Sequence, residues 1–130
     1  MPNSIRSYRD LIVWQRSMEL FDLIDVMVEG FSAYRRYWLG GQMHRAALSI
    51  ISNIADGHGA DYRGVYLRRL SDAKSSTTEL ETQLLVVSRR SYAPTGDTRH
   101  ALHVVDEVGR MLRSLSRSVR QSKSPKRLPP

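Results

Sequence analysis

Residues 45–57, Arg-Ala-Ala-Leu-Ser-Ile-Ile-Ser-Asn-Ile-Ala-Asp-Gly, constrain the fold more than any other stretch, because as a helix they form three faces. At 100° per residue, Met43, Ala46, Ala47, Ile50 and Ile54 make a core stripe. Leu48, Ile51 and Ala55 make a second apolar stripe on roughly the opposite side. A polar line of Arg45, Ser49, Ser52, Asn53 and Asp56 runs between them. A helix that is apolar on two faces has to be covered twice, by its own bundle and by something else. The natural second cover is another copy of the chain. Leu48, Ile51 and Ala55 are therefore the expected oligomer contact. The polar line is the expected register-fixing network, since buried polar groups need partners. Glu79 and Glu81 belong to it as acidic partners for Arg45. Two residues apart on a helix, these glutamates point apart and cannot share one substrate.

Three further helices are legible. Ser7 caps the first, with Asp10 at its third position. That helix carries Leu11, Val13, Trp14, Met18, Phe21, Ile24, Met27 and Val28, and stops near Gly30. A loop from Phe31 to Gly41 holds Tyr34, Arg35, Arg36, Tyr37 and Trp38. The double-striped helix follows over about 42–56 and ends at Gly57. Asp61 caps the third, which runs to about Arg90. Its stripe of Tyr66, Leu70, Ala73, Thr77, Leu80, Leu84 and Val87 steps by four and three, the spacing of packed bundle helices. Tyr92 to Gly96 is a turn, and the fourth helix has the stripe Ala101, Val105, Val108, Leu112, Leu115 and Val119. No run alternates with period two, so strands are not expected. Four amphipathic helices with short connections predict an all-α, antiparallel up-down-up-down four-helix bundle over residues 1–121, with a disordered basic tail over 122–130. The bundle is expected to assemble into a homo-oligomeric barrel.

The charge is one-ended. Of 20 lysines and arginines and 13 acids, residues 110–130 hold Arg110, Arg113, Arg117, Arg120, Lys123, Lys126 and Arg127 and no acid, so the whole net charge of +7 sits there. The four arginines occupy an arc of about 80° on the fourth helix, well away from its apolar stripe, in a ladder about 15 Å long. Such a ladder suits a polyanion, with RNA or DNA the leading candidate. The alternative is a solvated face with a solubilising tail. No motif here reads bases, so binding is expected to be backbone-directed and salt-sensitive. Four phosphate contacts predict a log–log salt slope of about −3.6.

Other chemistry finds little support. Without cysteine there is neither a disulfide framework nor a thiolate zinc site, which fits a reducing cytoplasm. No apolar run reaches a membrane span, and the first residues lack a signal-peptide core. His100, His103 and Glu107 share a helical face, but facing helices offer no matching ligands, so no metal is expected. His58 sits between two glycines suited to a turn. There is no phosphate-binding glycine motif and no arrangement that supports a catalytic triad. Neither enzymatic activity nor a cofactor is expected.

Four motifs follow in order: Tyr8-Arg9-Asp10-Leu11 with Val13-Trp14-Gln15, Arg45-Ala46-Ala47 through Gly57, Glu79-Leu80-Glu81-Thr82-Gln83-Leu84, and Val108-Gly109-Arg110-Met111-Leu112. Together they resemble the bacterial four-helix-bundle family encoded in intervening sequences of 23S ribosomal RNA genes. The accessory variability protein of diversity-generating retroelements is related to it. The likeness spans about residues 7–120. It implies a homopentamer of antiparallel bundles arranged as a barrel and, for the retroelement relatives, binding of nucleic acid and of a reverse transcriptase. The chain departs from the family pattern at Ile51, where proline is usual, so a kink in the second helix is not expected. It departs also at Asp56, usually glutamate, and at Arg69, usually aromatic. The expected partners are another copy of the chain and RNA or DNA; the alternative is a protein-interaction scaffold or accessory subunit with no nucleic-acid role, its protein partner docked on the aromatic loop Tyr34 to Trp38 or on the faces of the oligomer. No membrane is expected.

Overall fold

The computed structural model describes residues 5–122, and all of its regular structure is helical. The start is sharper than the capping signal implies. The Ser7 hydroxyl accepts from the Arg9 N–H at 3.2 Å, and the Asp10 carboxylate accepts from the Arg6 and Ser7 N–H groups at 2.8 and 3.3 Å. This capping box closes only a 3-10 turn over Tyr8–Asp10. Leu11 is extended, and α1 begins afresh at Ile12 and runs to Glu29. Gly30 ends it, as the sequence predicts.

The segment read as a loop between Phe31 and Gly41 is helical from Ala33 onward. The Ser32 hydroxyl caps one turn, Ala33–Arg35, which passes into a π-helix over Arg36–Gly40 and then without a break into α2, Gly41–His58. Gly40 is there for closeness, not for a break. A Cβ on it would lie 2.5 Å from Val28 Cγ1. Gly57 likewise does not end its helix: it is buried inside α2, where a Cβ would meet Tyr66 Cδ1 at 2.9 Å and Arg69 Cβ at 3.0 Å. The stop comes two residues later, at Gly59.

α3 spans Arg63–Arg90 and α4 spans Thr95–Arg120. The cap position of α3 is Tyr62, with no side-chain bond, rather than Asp61. Ser91 closes α3 in the left-handed region at φ 56°. The α4 helix starts at Thr95, inside the segment read as a turn. α1 packs against α2 and α4, and α3 packs against the same two, which closes a four-membered ring around one core. Every residue of the α3 stripe is buried, Tyr66 to Val87. Leu20, Ile24, Met43, Ile50, Ile54 and Leu112 fill the centre from the other helices. Arg16 ties α1 to α4 through Glu107 at 2.8 Å and also bonds Glu19. These carboxylates, Glu19 first, raise its guanidinium above the ordinary value.

Candidate nucleic-acid interface

The amphipathic pattern of α4 sets the site. Thr98, Ala101, Val105, Val108, Gly109, Leu112 and Ser116 are buried, so Arg110, Arg113, Arg117 and Arg120 are all turned to solvent on one side of the helix. Long stems let arginines on the flank of the buried stripe carry their charge outward. One acid interrupts the ladder. Asp106, one turn before Arg110, pairs with it at 3.1 Å, with both side chains more than half exposed. Its spacing of four from Arg110 is the signal that could have found it. Arg113, Arg117 and Arg120 form no ion pair among the described residues.

Close to the ladder, Thr77, Thr78 and Glu81 of α3 line a cavity of about 110 Å³ with Val105, Asp106, Gly109 and Arg113. Gly109 faces α3 there with room to spare, since a Cβ on it would meet Thr77 Oγ1 only at an ordinary contact distance of 3.9 Å. Farther along, Arg63 at the start of α3 donates from Nη2 to the Ser122 carbonyl at 2.8 Å, which anchors the C-terminal end of α4. Arg63 thus adds a cation that the sequence reading missed. Lys123, Lys126 and Arg127 lie outside the described residues, as does all of the tail beyond Ser122.

The polar line of α2 divides. Asn53 Nδ2 donates to the Ser49 carbonyl and hydroxyl at 2.9 and 3.1 Å, and the Ser76 hydroxyl of α3 donates to Ser49 Oγ at 2.9 Å. This is a small interhelical network, and Ser76 is its unforeseen member. Arg45, Ser52 and Asp56 are exposed outside it. Arg45 pairs with neither Glu79 nor Glu81 among the described residues. Glu79 instead accepts from Gln83 at 3.4 Å.

The second apolar stripe divides as well. Ile51 is buried within the chain at 8% exposure, Ala55 is half-buried, and Leu48 alone stands out at 53%. Ile51 is thus largely covered within the single chain, and two turns earlier on the same face α1 meets α2, where Phe21 and Asp25 both contact His44. His100 and His103 are exposed, and Glu107 is taken by Arg16. Among the described residues no three His, Asp or Glu side chains converge to hold a metal ion. No described helix is long and apolar enough to cross a membrane.

A family model described as 23S rRNA-intervening sequence protein matches residues 9–114. The crystal structure of a protein with unknown function from the S23 ribosomal protein family of Bacteroides thetaiotaomicron is similar, with a TM-score of 0.75 at 20% identity. The alignment covers 82% of this chain and 96% of that one, which shows a shared fold. No curated protein matches. Arg110 and Arg113 fall inside the matched segment, and Arg117 and Arg120 lie beyond it.

Proposed function

The chain belongs to the 23S rRNA-intervening sequence protein family, and on that premise we propose that it is a non-enzymatic nucleic-acid-binding protein of antiparallel, up-down-up-down topology. One observation carries the reading: the exposed arginines of α4, with Asp106 the only acid paired with them among the described residues. Backbone phosphates are the natural ligand for cations spaced three and four apart along a rigid helix. The ladder belongs to neither a stacking aromatic motif nor a recognition-helix signature, so the contact is read as directed to the backbone. Arg113, Arg117 and Arg120 together predict a log–log salt slope of about −2.7, steepening to about −3.6 where a phosphate displaces Asp106 from Arg110.

The protein acts as a homo-oligomer, for which the family resemblance implies five subunits. Leu48, together with exposed Met18 and Val26 on α1, supplies apolar surface outside the single bundle. Repetition of the ladder around such an assembly multiplies its field.

Fluorescence anisotropy with RNA and DNA duplexes at low salt tests the binding. The parent is expected to bind, and the variant with all four arginines changed to glutamine is expected not to. Equal binding by the two, or none by the parent, overturns the reading. Sedimentation equilibrium tests assembly: Leu48→Glu is expected to shift the protein toward monomer without loss of helix. A 14.9 kDa species for the parent at micromolar concentration refutes the oligomer.

A further inference from the structure

The end of the bundle away from the ladder carries a different surface. Phe31 and Tyr92 meet edge to face at 6.4 Å, and the Arg35 guanidinium lies over the Tyr92 ring at 3.9 Å. These contacts clamp the connection between α1 and α2 to the one between α3 and α4. The helical turns over Ala33–Gly40 are therefore held in place. On this rigid support three large aromatic rings face water. Tyr34 is 78% exposed, Tyr37 84% and Trp38 38%. Tyr34 and Trp38 lie 6.3 Å apart at an angle of 54°, too inclined to sandwich a ring between them but able to offer two separate faces.

Cations lie at the same end of the bundle. Arg36 is exposed on the same turn, Arg89 and Arg90 are exposed at the end of α3, and Arg99 is exposed in the first turns of α4. None of these four is ion-paired among the described residues. The acids at this end are Glu29 and Asp97, so arginines outnumber them. Aromatic rings interleaved with unpaired arginines are the composition that holds unpaired nucleotides: bases stack on the rings while the cations neutralise the phosphates. A duplex, whose bases are already stacked on each other, gains nothing from the rings. An apolar protein partner would strip water from the arginines without offering them counter-charges.

We propose that Tyr34, Tyr37 and Trp38 form a stacking platform for unpaired bases of single-stranded nucleic acid. The proposal takes its ligand class from the nucleic-acid reading above but uses none of the ladder residues. It makes the protein two-ended: a phosphate-binding face on α4, and a base-stacking face at least about 22 Å away along the helix axis.

Three probes of equal length separate the two surfaces: a short oligothymidylate, an abasic oligonucleotide of the same charge, and a duplex. The parent is expected to bind oligothymidylate more tightly than the abasic strand, with quenching of Trp38 fluorescence. Stacking of one base is worth about 5- to 150-fold in affinity. The double variant Tyr34→Ala with Tyr37→Ala is expected to lose about tenfold or more for oligothymidylate and nothing for the duplex. Tyr37→Phe, which keeps the ring, is expected to bind as the parent does. Change of the four ladder arginines to glutamine is expected to abolish duplex binding and leave the thymidylate-over-abasic preference. The platform is refuted if the double alanine variant, folded by circular dichroism, binds oligothymidylate unchanged. It is refuted too if the parent does not distinguish oligothymidylate from the abasic strand, or if those tyrosines govern capture of a protein and no nucleic acid. Duplex binding alone would sink the platform and leave the ladder standing.

Discussion

α2 and α4, of 18 and 26 residues, carry opposite surfaces. On α2 the apolar residues extend around the flank, and the bundle covers most of them, leaving Leu48 as the residue of the second stripe that stays exposed. On α4 a comparable flank holds arginines, and these stay in water. A helix in a four-membered ring touches two neighbours, so the arc withdrawn from solvent is wider than the stripe facing the centre. A short branched side chain such as Ile51 placed on the flank is withdrawn from water. An arginine placed there extends its stem past the contact and keeps its charge outside. Side-chain length and polarity, as much as angle, decide what a flank is for.

The sharpest test of that contrast pairs the two flanks. Ile51→Ala is expected to cost about 2 kcal/mol or more, the range for emptying a buried aliphatic position. Arg113→Ala is expected to stay within about 0.5 kcal/mol, as at an exposed site. Urea unfolding measures both. If the two cost the same, the flank of α2 is not packed as described. Gly57→Ala comes next. In an open helix this change stabilises by roughly 0.5–1 kcal/mol. Here the added methyl meets Tyr66 and Arg69, so a loss of about 1–3 kcal/mol is expected. A gain in thermal stability would show that α3 can move away.

On α4 the expected effects are smaller and appear in binding. Asp106→Asn frees Arg110 from an exposed ion pair worth at most about 1 kcal/mol, so duplex affinity should rise by no more than about fivefold. Weaker binding by this variant would mean that Asp106 orients Arg110 instead of competing for it. The smallest expected effect lies at the start of the chain. The Arg6 N–H, and after it the Ser7 N–H, hold the Asp10 carboxyl below its ordinary value. A lowered carboxylate stabilises above the ordinary carboxylate range, and that contribution is lost as pH falls through the lowered value. Amide exchange of Arg6 and Ser7, taken relative to its intrinsic rate at each pH, is expected to quicken in acid in the parent. In Asp10→Asn it should be fast throughout, apart from the intrinsic pH trend. Parallel acid profiles would remove Asp10 from the cap.

Some local signals carried over unchanged and others did not. Ser7 and Asp10 make the capping box, yet only a 3-10 turn follows, because extended Leu11 redirects the chain before α1. Ser49 and Asn53 do join an interhelical network, but with Ser76, a residue that looked like an ordinary polar position on α3. Arg45 looked equally suited to Glu79 or Glu81 and pairs with neither among the described residues. The ladder's outward direction was legible, and its pairing with Asp106 was overlooked although the spacing was in plain view.

The sequence by itself determined that this chain is helical, that α3 buries Tyr66 to Val87, and that α4 turns four arginines away from its apolar stripe. Periodicity settles such matters, because it belongs to one segment and needs no knowledge of its neighbours. Only the tertiary structure decided that Gly40 and Gly57 admit close contacts with Val28 and Tyr66 instead of breaking helices. It alone decided that Ile51 is covered from within the bundle, and that the aromatic segment after Phe31 is a clamped helical turn. A glycine has no side chain to announce which role it plays, and a flank has no cover until another helix is laid against it. Those properties exist between segments, so no pattern along a single segment could state them.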